Sequence, residues 1–186
     1  SGINAFGAGN QIGNNALTPE ITNELEIGTD LRLYDGRISV DFTYYSRLTN
    51  AQIISVPLDP TSGSTVIVSN AAKVSNKGIE ALLSYRVLRR EKGFNWTTSA
   101  NFTRSRNNVE ELDESIDKLS LGGLSTTGFY AMQGRPIGVY EGPSMKRTED
   151  GKIVVGGDGV PVIGEETEIH GNAQRNYILG FSNNFS

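Results

Sequence analysis

Asp35-Gly36 stands between two runs that alternate apolar and polar residues without a break, and this arrangement constrains the fold more than any other part of the chain. Before it, Leu25, Ile27, Thr29, Leu31 and Leu33 alternate with Glu24, Glu26, Gly28, Asp30, Arg32 and Tyr34. After it, Ile38, Val40, Phe42 and Tyr44 alternate with Arg37, Ser39, Asp41, Thr43 and Tyr45. Apolar spacing of two argues against a helix, and Asp-Gly between such runs specifies a β-hairpin. A two-residue loop also fixes the register. Tyr34 should face Arg37, Leu33 face Ile38, Leu31 face Val40, Thr29 face Phe42 and Ile27 face Tyr44. On the other face Arg32 should meet Ser39, Asp30 meet Asp41, and Glu26 meet Tyr45. Neighbouring carboxylates repel, so that second face is expected to be wet.

The pattern returns further along. Ile79, Ala81, Leu83, Tyr85 and Val87 share one parity. After a polar turn at 89–93, Phe94, Trp96, Thr98, Ala100 and Phe102 do the same. A short loop would pair Val87 with Phe94, Tyr85 with Trp96, Ala81 with Ala100 and Ile79 with Phe102. A last strand is expected over 177–185. Between these strands the texture loosens. Residues 1–16 read as a Gly- and Asn-rich loop, and 48–75 as a long loop carrying a small hairpin (52–56 with 65–69). Residues 104–128 read as a solvated loop in preference to one or two helical turns, 134–140 as a short extended piece, and 152–163 as hairpin-like.

Strands of about 10 residues, joined alternately by short turns and long connections, fit a transmembrane β-barrel better than a soluble sandwich, whose strands run nearer 5–6 residues. The fold class expected is therefore all-β: antiparallel up-and-down hairpins forming part of a large transmembrane barrel. The long loops, at about 48–75, 104–128 and 141–170, would shape one mouth. Tyr85 with Trp96, and Tyr44-Tyr45 at the opposite end, would supply aromatic girdles. Composition removes other classes. With 37% hydrophobic residues and a net charge of −4, the chain has no basic cluster for nucleic acid. It has no cysteine, so disulfides and thiolate metal sites are excluded. No apolar run approaches the ~18 residues of a membrane helix. The opening Ser1-Gly2 suggests a mature segment or an excised piece.

If the register holds, Glu26, Asp30, Arg32, Asp41, Glu80, Arg86 and Asn101 face a lumen, while Leu31, Val40, Phe42, Tyr85, Trp96 and Phe102 face lipid. No catalytic, cofactor or metal residues are expected. The sharpest enzymatic reading pairs Asp30 with Asp41 as glycosidase carboxylates; lining a water-filled lumen explains them more economically. His170, the single histidine, reads as a solvated loop residue beside Glu165-Glu166 and Glu168. Asp150-Gly151 and Asp158-Gly159 read as turns, because Lys152, Ile153, Val154 and Val155 between them are not calcium ligands. Three Asn-x-Ser/Thr triplets begin at Asn95, Asn101 and Asn184, all placed on the polar face within strands, where glycans attach awkwardly. The alternative to a barrel is a soluble secreted β-sandwich binding glycan or protein, with the Leu31/Val40 face buried against the Tyr85/Trp96 face.

Several ordered segments resemble the barrel strands of TonB-dependent outer-membrane transporters of the SusC/RagA class. They are Leu17-Thr18-Pro19-Glu20 leading to Glu26-Ile27-Gly28, Phe42-Thr43-Tyr44-Tyr45 with Gln52-Ile53-Ile54, and Asn76-Lys77-Gly78-Ile79-Glu80. Phe94-Asn95-Trp96 with Asn101-Phe102 and Asn108-Val109, then Gly134-Arg135-Pro136-Ile137-Gly138, and Gly171-Asn172 before the last strand, complete the set. One departure is Ala173-Gln174-Arg175, where the family often carries a proline. The resemblance implies a C-terminal portion of a large barrel in the bacterial outer membrane that takes up glycans or peptides. It also implies an N-terminal plug and TonB box outside these residues, coupling through TonB, and a SusD-like surface lipoprotein as partner.

Overall fold

The computed structural model describes residues 11–58, 61, 63–124 and 126–186. Residues 1–10 of the opening loop expectation, Asp59, Pro60 and Ser62 within the 48–75 stretch, and Ser125 lie outside the described residues. The described chain forms β1 (Gln11–Ile12), β2 (Ile21–Leu33), β3 (Ile38–Pro57), β4 (Val66–Leu88), β5 (Trp96–Leu112), β6 (Lys118–Gly123), β7 (Gly128–Met132), β8 (Val139–Met145), β9 (Ile163–Asn172) and β10 (Ile178–Phe185). The large sheet runs β10-β5-β4-β3-β2, antiparallel throughout, with β1 added in parallel to β4. A second sheet is the meander β6-β7-β8-β9.

The founding hairpin has the register its turn dictates: Leu33 pairs with Ile38, Leu31 with Val40, Asp30 with Asp41 and Glu26 with Tyr45. Positive φ at Asp35 (53°) and Gly36 (74°), with the Arg37 amide donating to the Tyr34 carbonyl at 3.0 Å, make a type I′ turn. Its twist matches that of the strands, so pairing extends unbroken to Ile21 and Asn50.

The second hairpin differs. Ala81 pairs with Phe102, Leu83 with Ala100 and Tyr85 with Thr98, two residues away from the expected partners. The cause lies in the connection over 89–95. The Asn95 side chain accepts from the Arg90 amide at 2.6 Å and donates to the Gly93 carbonyl, so the loop is longer than the polar residues alone suggest. A bulge at Val87 absorbs the mismatch, Arg86 pairing with Thr97 and Leu88 with Trp96. A shift of two preserves the faces and changes only the neighbours. Tyr85 therefore sits under the Arg37 guanidinium, 5.5 Å from its ring centroid, and Trp96 stacks on Phe185 instead. Asn95 belongs to this connection and not to a strand.

The expected loop at 48–75 is mostly strand. Its small hairpin is the continuation of β3 and β4, carried past register shifts at Thr49/Gln52 and Gln52/Ile53. Ala51 takes a φ of 54° there, and Asn70 fills the irregularity by donating to the Ala51 and Thr18 carbonyls. The shifts break the alternation in sequence while pairing persists, which is why the stretch reads as loop. Likewise β5 runs on to Leu112, residues 113–117 turn, and β6 begins at Lys118, so 104–128 is neither loop nor helix. In 141–170, β8 reaches Met145 and β9 starts at Ile163; between them are two isolated bridges, Arg147 with Ile153 and Val155 with Pro161. His170 lies within β9 and is not a loop residue. The piece at 134–140 is turn until Val139, where β8 starts.

The two faces of the large sheet follow from register alone, because directly paired residues share a face. Leu31, Val40, Leu83, Ala100 and Phe181 form one row, and Ile27, Tyr44, Ile79 and Arg104 another. This face is apolar and uncovered: Leu31 is 47% exposed and Phe181 73%. It cannot form a sandwich core in the way the alternative requires, because the Leu31/Val40 and Tyr85/Trp96 groups lie side by side on one face of one sheet. The buried apolar cluster is elsewhere. Val109, Leu112, Leu119 and Ala131 come together at the far end of β4 and β5, with Ile54, Ala72, Ile116 and Ile137 packed around them. Val109 pairs with Val74 just beyond Asn107 and Asn76, so the β6–β9 excursion roots on the polar-face side of the large sheet.

Candidate functional site

The polar face is assembled from the alternate residues of the same five strands. Glu26, Asp30 and Arg32 come from β2, Asp41 from β3, Glu80 and Arg86 from β4, and Asn101 from β5; all seven are exposed and all share this face. Leu31, Val40, Phe42, Tyr85, Trp96 and Phe102 lie together on the opposite face, and none is buried. Register does not bring all seven polar residues to one point. Asp41, Glu80 and Asn101 line a depression of about 450 Å³ with Thr43, Ser99 and Ser182. Glu80 also borders a second, of about 330 Å³, with Glu24, Glu26 and Arg47. Asp30, Arg32 and Arg86 lie nearer the tight turns and line neither depression.

Charge on this face is only partly compensated. Arg47 reaches Glu24 across the strands at 2.8 Å, and Arg32 meets Asp30 on its own strand at 3.4 Å. Among the described residues Glu26, Asp41 and Glu80 make no ion pair. Asp30 and Asp41 are direct neighbours, as the sequence implies. They lie on an open surface, with Asp30 turned towards Arg32, so the glycosidase reading gains no support.

A feature the sequence reading missed is the hydroxyl relay across β3, β4 and β5. Tyr45 faces Gly78, which faces Ser105. The Tyr45 ring lies flat over Gly78, where an added Cβ would stand 2.3 Å from the ring carbon Cζ. From there its hydroxyl donates to Ser105 Oγ at 3.2 Å, and Ser105 donates to Asn76 Oδ1 at 2.9 Å. Tyr45 therefore is no girdle residue; only Tyr44 of the pair lies on the apolar face. Parity within β3 was the available signal. Gly78→Ala is expected to swing the ring away and lose its hydrogen bond, costing about 1 kcal/mol, while Tyr45→Leu at the native glycine keeps the backbone register. A double-mutant cycle between the two positions, read by unfolding of the full chain, should show strong coupling.

The excursion over 113–177 is pinned to the wall strands by side chains. Asn107 Oδ1 accepts from the Ile137 amide at 2.8 Å, and Gln174 Nε2 donates to the Asn107 carbonyl at 2.6 Å. Arg106 donates to the Arg175 and Asn176 carbonyls at 2.7 and 3.2 Å. The segment Ala173-Gln174-Arg175, which departs from the family pattern, thus supplies two of the anchors. Within the small sheet, Lys118 is ion-paired with Glu141, which also accepts from Thr167 at 3.0 Å. The hydrogen bond they share is the main cause that holds the Lys118 ammonium above, and the Glu141 carboxyl below, their usual values. A lowered carboxyl contributes stability that is present above its unfolded pKa and lost as pH falls through the folded one; a raised ammonium loses its share only as pH rises through its own. The pair is therefore fully present between about pH 4.5 and 10. Glu141→Gln should cost on the order of 0.5–1 kcal/mol at pH 7 and less at pH 3. Thermal unfolding of the excursion at the two pH values measures the difference.

His170 Nε2 lies 3.2 Å from the Pro143 carbonyl and Nδ1 3.7 Å from Glu168, a strand residue with local partners. Among the described residues no group of His, Asp and Glu is arranged to hold a metal ion. Both Asp-Gly steps are turns: Gly151 donates to the Thr148 carbonyl at 2.8 Å and Gly159 to the Gly156 carbonyl at 3.0 Å.

Residues 1–136 match the family model described as TonB dependent receptor-like, beta-barrel. The chain is 32% identical to TonB-dependent receptor P39 of Formosa agariphila over 73% of its own length and 12% of that protein. It is 24% identical to TonB-dependent receptor P3 of the same organism over 91% of the chain and 19% of the relative. Among solved structures, that of the RagAB peptide transporter matches 90% of the chain and 20% of the larger chain, with a TM-score of 0.70 at 22% identity. The RagAB peptide importer in the 'open-open' state matches with a TM-score of 0.61 at 21% identity, over 91% of the chain and 20% of its own. The chain thus spans about a fifth or less of the proteins it matches.

Proposed function

The chain belongs to the TonB-dependent receptor-like β-barrel family, and from that premise we propose that it is a wall segment of an outer-membrane nutrient transporter. Leu31, Val40, Phe42, Tyr85, Trp96 and Phe102 face lipid in this reading, and Glu26, Asp30, Arg32, Asp41, Glu80, Arg86 and Asn101 face the aqueous interior. The observation that carries it is the division of five antiparallel strands, between the Trp96/Phe185 row and the Tyr44/Ile79 row, into a largely apolar, uncovered face and one that is polar apart from Leu82 and Ile178. A soluble protein would bury so large an apolar surface; a bilayer accepts it. The tight connections, 34–37 and 89–95, lie at one end, and the prolonged β3–β4 hairpin and the 113–177 excursion at the other, the asymmetry of periplasmic turns and external loops.

The segment carries out no chemistry of its own: strands form the wall, and the excursion shapes the outer mouth. Its cargo is a glycan or peptide fragment, peptides being the cargo of the RagAB transporter that it resembles. TonB and a SusD-like surface lipoprotein are the partners. The strand edges left open on β2 and β10 pair with the remaining barrel strands, which removes their aggregation liability.

The test is made on the full-length protein. It should fractionate with the outer membrane, and deleting its gene should abolish growth on the cognate glycan or peptide, as should loss of TonB. A water-soluble, monodisperse 186-residue chain, or uptake indifferent to TonB, would contradict the proposal.

A further inference from the structure

We propose that Lys77, Arg104 and Arg106 form a binding patch for the phosphate of an outer-leaflet glycolipid. The inference rests on the lipid-facing reading of the apolar face and adds a ligand to it. On the β4–β5 part of that face, the apolar rows give way to charge at one level. Ile79 pairs with Arg104, and the next row outward pairs Lys77 with Arg106. Direct cross-strand neighbours have Cβ atoms about 4.5–5.5 Å apart and diagonal ones about 7–8 Å, so three cations share one small patch. The patch follows directly on Tyr44, Phe102 and Tyr177, the last two stacked with centroids 6.1 Å apart. Aromatic rings at the margin of an apolar band mark the headgroup level.

Two of the three cations are uncommitted. Among the described residues Lys77 and Arg104 take no hydrogen bond or ion pair, and both are exposed. Arg106 is half-buried and its guanidinium donates to the Ser105, Arg175 and Asn176 carbonyls and to the Asn176 side-chain oxygen, so it adds a fixed charge to the patch. The nearest carboxylates lie further out: Glu111 pairs with Lys73 at 2.8 Å, and Glu110 accepts from Ser75 and lies near enough to attract Lys77 without an ion pair. Cations without an ion pair beside an apolar band are favourable where anionic headgroups sit at their level. The end of the strands settles which leaflet: the patch lies on the side of the long connections, away from the 34–37 and 89–95 turns. A phosphate monoester, with about −1.5 to −2 charges, matches three grouped cations better than the single charge of a phosphodiester.

The experiment uses the full-length protein in detergent, titrated with bis-phosphorylated lipid A and with the dephosphorylated lipid, binding being read by native mass spectrometry. A nitroxide on Leu31→Cys reports lipid exposure in nanodiscs. The native protein should bind the phosphorylated lipid at least tenfold more tightly than the dephosphorylated one. Lys77→Gln with Arg104→Gln should lose that preference, and Lys77→Arg with Arg104→Lys should keep it. No preference for phosphate, or a preference that survives the double Gln variant while the Leu31 label is in lipid, overturns the patch and leaves the wall reading standing. A Leu31 label in water or packed in protein overturns both.

Discussion

Val40→Arg should cost the folded barrel about 2–4 kcal/mol, whereas Asp41→Arg, one residue along, should change it by less than about 0.5 kcal/mol. Val40 belongs to the row Leu31, Val40, Leu83, Ala100 and Phe181, the middle one of the five rows that run from Leu88, Trp96 and Phe185 to Tyr44, Ile79 and Arg104. A guanidinium there must leave water at mid-bilayer or drag water inward. Asp41 points to the opposite face beside Asp30, so a cation at 41 meets a carboxylate and solvent. Reversible unfolding of the full-length protein from lipid vesicles measures both. Equal costs would mean that the two faces are not in different solvents. The contrast between adjacent residues matters more than either number, because nonspecific damage to β3 would affect both alike.

The second large effect is expected far from the band. Val109 is 1% exposed and lies at the middle of the cluster that fixes the excursion to the large sheet. Its backbone is part of the same joint: its amide donates to the Arg135 carbonyl at 2.9 Å, and its carbonyl accepts from the Gly134 amide at 2.8 Å. Val109→Ala removes two buried carbon atoms and leaves a space that Leu112, Leu119 and Ala131 can fill only in part, at a cost of about 2–3 kcal/mol. The loss should be local. Hydrogen exchange over 118–145 should accelerate by more than tenfold while residues 24–46 stay protected, since β3 reaches the cluster only at its far end, through Ile54. Asn107→Ala should act in the same direction more weakly, by removing the acceptor of the Ile137 amide.

The founding hairpin was legible pair by pair. Asp35-Gly36 admits one turn type, and one turn type admits one register, so Leu31 with Val40 and Asp30 with Asp41 follow without reference to anything distant. The second hairpin was legible in its faces but not in its partners, because the Asn95 side chain lengthens the connection through bonds that no local pattern announces. Its bulge at Val87 keeps the error to an even number of residues, so Tyr85, Trp96 and Phe102 still lie on the expected face. Beyond Thr49 and Thr103 the reading fails for a different reason. Outside the apolar band the two faces no longer differ in polarity, so strict alternation lapses. The strands continue on backbone pairing and on side chains such as Asn70, Asn107 and Gln174, and their sequences look like loop. Lys77 and Arg104 were overlooked for the same reason: they keep the parity of the apolar face but not its character. The relay from Tyr45 to Asn76 was hidden because it depends on a glycine of the next strand, distant in sequence yet directly opposite in space.

The central claim is that the apolar face of β2–β5 and β10 lies in lipid. Its most direct test is a nitroxide scan of positions 38–45 in the full-length protein reconstituted in bilayers, comparing collision with oxygen and with a water-soluble nickel chelate. Labels at 38, 40, 42 and 44 should favour oxygen, and those at 39, 41, 43 and 45 should favour the chelate or be shielded from both. Absence of that two-residue period, or shielding of 40 and 42 from oxygen, would contradict it.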